Sequence, residues 1–488
     1  MTPMARFREW SASTRGQRVL IGVVLLILTT WYLAFAVQRY ETSHFYGDEA
    51  EYYLTGVSIF EDGDLDLRNQ FLAPDSHAFP IPLSFKVTPD GAPSPAAFIP
   101  TTGTIFIGPA NAIGGVLGVL VLYALMNVAS LALLLLVLRR SVGPSIALGA
   151  VLLAGFTVPL AWHAASIWVE VPALLAVSGV LALLPRIGTR WWAAVGAGAL
   201  LALLPWLHQK FALLALGVTV AILLHAGRRR FWPLVAGLPV AGIVGTMIFS
   251  TLLRGRWAFT TGSASGDVSG AFDPRIGRNA AQPFAWFVDQ TRGWLPLAPV
   301  WIIAFVGLAV LIRVAGGRRL LGFYAVAFVP FLLVYMAGPF LSGDSPPGRE
   351  TLTSLPVLIM LLAAGLASVR GVVAWSITAA LAAVSLLVGA ASGFVFGQDI
   401  YFNNLGDPKL LIRLAERGLD TTWWWPRITV SDTWTWGNLV VATLATVLVA
   451  VVVFAWSRRW CTRRGIPMWA PPSTCPAGMP AIALHAQP

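Results

Sequence analysis

The sequence predicts an all-α integral membrane protein, a bundle of about 12 transmembrane helices with one large extracytoplasmic loop after the first helix. Three observations carry this prediction. Mean hydropathy is +0.73, 57% of the 488 residues are hydrophobic, and only 11% are charged. Apolar runs near 20 residues recur along the chain, the length that a hydrocarbon layer of about 30 Å demands of a helix. The few charges are sorted by sign among the segments that join those runs.

The expected spans are 19–38, 116–138, 143–161, 167–185, 191–206, 211–226, 232–253, 294–312, 320–341, 353–368, 372–396 and 437–456. Lipid offers no partner for open backbone groups, so each run is read as a helix. A β-barrel would show short alternating segments instead. The first run follows Arg6, Arg8, Arg15 and Arg18 and ends near Ala34-Phe35-Ala36, as a signal peptide would. Its apolar stretch from Val19 to Val37 exceeds the 7–15 residues of such a peptide, and a retained helix is expected.

Placing the N-terminus in the cytoplasm and alternating sides tests that count. The cytoplasmic segments then hold nineteen Arg and a single acid, Glu9. They include Arg139-Arg140, Arg186, Arg190, Arg228 to Arg230, Arg313, Arg318-Arg319, Arg370 and the arginines from Arg458 to Arg464. The other side receives nearly all the acids. One missed helix would scramble this positive-inside pattern. The net charge of +11 therefore reflects topology, and no basic-aromatic cluster suited to nucleic acid accompanies it. The expected organisation is a cytoplasmic tail over 1–18, a transmembrane domain over 19–456 with its extracytoplasmic loop at 39–103, and a cytoplasmic, disordered tail over 457–488. Both termini are thus placed in the cytoplasm of a multi-pass plasma-membrane protein. The tail from Cys461 is rich in Pro, Ala and Gly. Both cysteines, Cys461 and Cys475, fall in it, so no extracytoplasmic disulfide is expected. No internal repeat is visible, which weighs against a secondary transporter.

The stretch from Phe45 to Phe71 gathers seven carboxylates. Asp48 reads as an N-cap, with a helix from Glu49 to about Asp62 and Gly63 as its stop. Tyr53, Val57 and Phe60 share one face, which suits a helix on the membrane surface. Asp62-Gly-Asp64-Leu-Asp66 echoes a calcium loop, but Leu67 and Ala73 stand where that loop needs Gly and Glu. Ionisable groups at membrane edges are functional candidates. Asp48, Glu49, Glu170, His208, Lys210 and Arg349 all fall near the outer surface in this topology. Only three Lys occur, Lys86, Lys210 and Lys409, all on that side. Most Trp residues, including Trp423-Trp424-Trp425, are read as interfacial anchors.

These residues resemble a known group. Gly47-Asp48-Glu49, soon after a first transmembrane helix, is similar to the aspartate-centred first-loop motif of the GT-C glycosyltransferases, in the subgroup of protein O-mannosyltransferases and the lipid A aminoarabinose transferase. Pro109-Ala-Asn-Ala-Ile-Gly-Gly115 resembles the segment closing that loop. Trp168-Val-Glu170-Val-Pro172-Ala173 resembles a Tyr-Pro-Glu-x-Pro-Ala motif heading the fourth helix. Leu204-Pro-Trp-Leu-His208-Gln-Lys210-Phe211 resembles a Pro-Trp-Leu-His-x-Lys-Tyr junction. Leu295-Pro-Leu-Ala-Pro299 and Pro346-Pro-Gly-Arg349 follow in order. The series covers about 20–370. Two positions depart from the group: Pro95-Ala-Ala-Phe-Ile-Pro100 lacks a histidine, and Glu350 follows Arg349 where relatives often have Tyr.

The resemblance implies a GT-C-like bundle that moves a sugar from a polyprenyl-phosphate donor to an extracytoplasmic glycan, lipid or protein, with inversion. Asp48 would be the general base, and Glu49 would orient Asp48 or the acceptor. Lys210 and Arg349 would hold the leaving phosphate, with His208 beside them. Glu170 would either bind a sugar hydroxyl or pair with Lys210. No cofactor is called for; a divalent cation is left open, with no metal ligand assigned. The rival readings are a non-catalytic assembly factor of the same fold and a lipid flippase or transporter.

Overall fold

The computed structural model describes residues 13–42, 45, 49–65, 67, 105–225, 230–254, 286–289, 293–337, 348–394, 413, 415–418, 436–464 and 468. Among them there are helices and turns and no strand. Thirteen α-helices carry the fold: α1 (Thr14–Thr42), α2 (Glu49–Glu61), α3 (Ile107–Leu138), α4 (Pro144–Phe156), α5 (Glu170–Ile187), α6 (Trp191–Leu207), α7 (Phe211–His225), α8 (Trp232–Arg254), α9 (Ile302–Arg313), α10 (Ala315–Ala337), α11 (Leu355–Ser368), α12 (Val372–Phe394) and α13 (Trp436–Arg463). Eight include segments long and apolar enough to cross a membrane, and α4, α6, α7 and α9 are shorter apolar helices. Every predicted span falls on one of these, and the all-α membrane bundle is observed.

Neighbouring helices pack as lipid-embedded helices do, through small residues that let backbones approach. On α9 and α11, a Cβ added to Gly307 would lie 1.9 Å from the Leu361 carbonyl oxygen, and one on Gly365 2.1 Å from that of Ile303. The first helix belongs to the bundle: Leu28, Tyr32, Phe35 and Ala36 are buried, and the Tyr32 hydroxyl donates to the Gly155 carbonyl on α4 at 2.8 Å. The third helix is broken at Gly114-Gly115, where Gly115 has φ +58°. The predicted span beginning at 116 starts at that break, and the turns before it leave Ile113 exposed.

Three expectations are revised. α2 ends as expected, with Gly63 at φ +72° and its N–H on the Ser58 carbonyl, but Tyr53 and Val57 are buried in the bundle and only Phe60 is exposed. Its apolar face finds a protein surface on α3, where Tyr53 donates to Asn111 Oδ1 at 2.5 Å. The last helix continues to Arg463, past the expected end at 456, and buries Cys461. Several Trp residues are core rather than anchors: Trp162, Trp168, Trp294 and Trp301 are fully buried, whereas Trp191, Trp192, Trp375 and Trp456 are exposed. Cys475 and the run at 423–425 lie outside the described residues, as does most of the loop at 39–103.

The ends of the bundle differ in charge. Arg140 sits beside Arg186 and Arg139, and burial together with those two charges lowers its pKa. Arg313 lies 4.7 Å from the Phe454 ring, and the Arg370 N–H donates to Ser457 Oγ at 3.0 Å. Of the arginines assigned to one side, Arg139, Arg140, Arg186, Arg313 and Arg370 thus meet their neighbours at one end of the bundle. The candidate site is at the other.

Candidate functional site

Glu170 is the first residue of α5, where the positive end of the helix dipole favours a carboxylate. It is 1% exposed. Two cations reach its Oε1, Lys210 Nζ at 2.5 Å and Arg349 Nε at 3.1 Å. Lys210 lies in the two-residue junction between the His208 cap of α6 and the start of α7. Arg349 opens a 3-10 turn, Arg349–Ser354, ahead of α11. Its position depends on Gly348, whose φ of +79° and contact with Pro159, 2.5 Å from where a Cβ would stand, exclude a side chain. The guanidinium stacks over the Trp168 ring at 3.6 Å, a contact that planar Arg makes and Lys does not.

A second ion pair braces the first. Arg39, near the end of α1, is 2% exposed and pairs with the fully buried Glu49 at the start of α2. Arg39 Nη1 donates to the Ala165 carbonyl at 2.8 Å. Glu49 Oε1 accepts the Ile167 N–H at 2.7 Å. Both therefore grip the segment leading into Trp168 and Glu170. Tyr52 meets the Trp168 ring edge-on at 6.3 Å, and Tyr123 of α3 lies within electrostatic reach of both carboxylates. The trio of Lys210, Glu170 and Arg349 carries one net positive charge in a mostly dry setting, where electrostatic attraction is strong.

Histidine enters in two ways. His208 Nδ1 accepts the Lys210 backbone N–H at 3.2 Å. Burial first, and then the Lys210 charge, hold its pKa well below the usual histidine range. His208 is thus a neutral brace for the junction. His163 is fully buried, and neither ring nitrogen has a hydrogen-bond partner among the described residues. Burial pushes its pKa down to about 3; Glu170 opposes that shift, and Arg349 and Arg39 add to it.

Four of the six residues singled out by sequence, Glu170, His208, Lys210 and Arg349, come together. Glu49 lies one step away, joined through Arg39 and Ile167. Asp48 lies outside the described residues. Of the alternatives open for Glu170, the ion pair with Lys210 is the one observed. Arg39 and His163 were not picked out as site residues. The available signal for Arg39 was a buried-length span ending in Arg on the side that positive-inside counting leaves acidic. Among the described residues no three His, Cys, Asp or Glu side chains cluster as metal ligands.

Comparison with known proteins is sparse. No family model matches the chain, and no curated protein matches it. Among solved structures, the fold is similar to the crystal structure of ArnT from Cupriavidus metallidurans bound to undecaprenyl phosphate. The identity is 15% over 93% of this chain and 79% of that one, with a TM-score of 0.47.

Proposed function

We propose that the chain is a membrane glycosyltransferase that takes a sugar from a polyprenyl-phosphate donor and passes it, with inversion, to an acceptor outside the cytoplasm. The observation that carries this reading is the convergence of Lys210 and Arg349, 139 positions apart in sequence, on the one buried carboxylate of Glu170. The ordered motif series, which contains Glu170, Lys210 and Arg349, supports it from the sequence.

The chemistry asks little else of the protein. An acceptor hydroxyl attacks the anomeric carbon, its proton passes to a carboxylate, and the bond to the phosphate oxygen breaks. In this reading Asp48 takes the proton. Glu49, held by Arg39 and the Ile167 N–H, orients the start of α2. Lys210 and Arg349 stabilise the charge that grows on the leaving phosphate. Glu170 holds the two cations at one place before the donor arrives, so that little reorganisation is required on binding. The trio lies at helix ends, so a headgroup could meet it while the prenyl chain stays in the bilayer.

Two measurements test the reading. Polyprenyl-phosphate binding to purified, folded protein should weaken in Lys210→Met and Arg349→Met and recover only partly in Arg349→Lys. Normal affinity in both Met variants would mean that the trio is only a structural brace. In cells lacking the chain, mass spectrometry of envelope glycans, lipids and proteins should find one sugar missing, and its identity names donor and acceptor. An unchanged envelope, with binding intact, would favour the assembly-factor or flippase reading.

A further inference from the structure

The Arg-rich end of the bundle holds a cavity that the proposed transfer does not use. It has a volume of about 680 Å³ and lies between the start of α12 and the end of α13. Arg370 and Arg464 line it, with Trp375, Trp460, Val372 and Ser376. The Arg464 guanidinium lies 4.4 Å from the Trp460 ring. Arg370 Nη1 donates to the Val369 carbonyl at 2.8 Å, and its backbone N–H ties the corner to Ser457 on α13. Neither arginine has a carboxylate partner among the described residues.

We propose that this cavity binds the phosphate headgroup of an anionic glycerophospholipid. Its two guanidiniums offer charge-assisted donors that match a phosphate. Basic pockets between transmembrane helices on the cytoplasmic side take anionic headgroups, and this is the end the positive-inside pattern assigns to the cytoplasm. The indoles of Trp375 and Trp460 have the amphipathic character of residues that sit at headgroup level.

The choice of a lipid over a free phosphate follows from what surrounds the cavity. The helices that form it, α12 and α13, are among the most exposed of the bundle, with 22% of each apolar window buried. Val372, Val373 and Trp375 on α12 and Trp456 on α13, which approaches Gly371, are exposed. A headgroup between the arginines would therefore leave its acyl chains against apolar helix faces already turned to lipid. A soluble anion would use only the polar part of the cavity.

The test is native mass spectrometry of the full chain, released from detergent with equal amounts of phosphatidylglycerol and phosphatidylcholine. The wild type should retain one phosphatidylglycerol in preference to phosphatidylcholine. Arg370→Gln/Arg464→Gln should weaken that retention about 25-fold, from about fivefold per guanidinium. Arg464 is exposed at a helix end, so Arg464→Gln folds like the wild type and should lose about fivefold by itself. Arg190→Gln, an equal charge change at the same end but outside the cavity, should leave retention unchanged. No lipid preference in the wild type, an equal loss in Arg190→Gln, or full retention in Arg464→Gln would each overturn the proposal. Displacement of the lipid by millimolar inorganic phosphate would also overturn it, because the site would then be a soluble-anion site.

Discussion

The two ends of the bundle solve the same problem in opposite ways. At one end the arginines meet carbonyls and rings: Arg313 donates to Ala309 at 2.5 Å, Arg370 to Val369, and Arg464 lies over Trp460. At the other end the cations are paired with buried carboxylates, Arg39 with Glu49 and Lys210 and Arg349 with Glu170. Charges of the first kind act as a sum, and any one can be lost cheaply. Those of the second kind depend on each other, because removing one partner leaves the other charged and out of water. Orientation in a membrane needs only the sum. Holding cations together out of water needs coupled positions.

The largest effect should come from Asp48. If it is the base, Asp48→Asn should slow transfer by about 10²–10⁴-fold while the protein still inserts and folds. Asp64→Asn, where the carboxylate accepts from Ser58 Oγ at 2.9 Å, should change turnover little. Near-normal turnover in Asp48→Asn would take that residue out of the mechanism.

Glu170→Gln sharpens the comparison next. It removes the buried carboxylate that Lys210 and Arg349 share, and a cost of about 3–5 kcal/mol is expected. Unfolding of the purified protein in mixed micelles measures it. A loss below about 1 kcal/mol would show that the site end is as tolerant as the other.

A double-mutant cycle on Arg39→Gln and Glu49→Gln should return a coupling of about 1–3 kcal/mol. The exposed pair Arg413–Glu416, at 3.0 Å, should return about 0–1 kcal/mol in the same assay. Equal couplings would mean that burial at the site end does not set its energetics.

His163 gives a pH test. Its folded pKa of about 3 lies below the unfolded value near 6.5, so the unfolded chain binds the proton more readily. Its neutral form carries no penalty above about pH 6.5, and stability is lost as pH falls from there toward 3. Between pH 6.5 and 5 the loss should be about 2 kcal/mol, and it should be absent in His163→Asn. Glu170, Arg349 and Arg39, the charged groups acting on this ring, are unchanged in that variant. The same slope in both proteins would assign the pH dependence elsewhere. The smallest effect is expected at the Arg-rich end, where Arg190→Gln should shift stability by less than about 0.5 kcal/mol.

Much of this architecture was legible without coordinates. Span lengths follow from the thickness of hydrocarbon, and the side assigned to each loop follows from counting Arg. Both are one-dimensional properties of the chain, which is why all the spans recur and why the break in α3 falls at Gly114-Gly115. The rarity of Lys and the short motifs likewise singled out Lys210, Glu170 and Arg349 one at a time. What a linear reading could not supply was distance. A face of α2 that is apolar enough for a membrane surface is also apolar enough for a protein surface, and only packing chose the second for Tyr53 and Val57. Trp has the same ambiguity, so Trp168 reads as an anchor until Arg349 is seen stacked on it. Arg39 and His163 belong to no motif, and their meaning lies in what folding brings to them: Arg39 meets Glu49 and the Ala165 carbonyl, and His163 is enclosed within reach of Glu170, Arg349 and Arg39. Composition and period determined that this chain is a helical membrane bundle. Only the tertiary structure decided that Glu170 is the carboxylate on which Lys210 and Arg349 converge, because ion pairing depends on separation in space, which the order of residues does not encode.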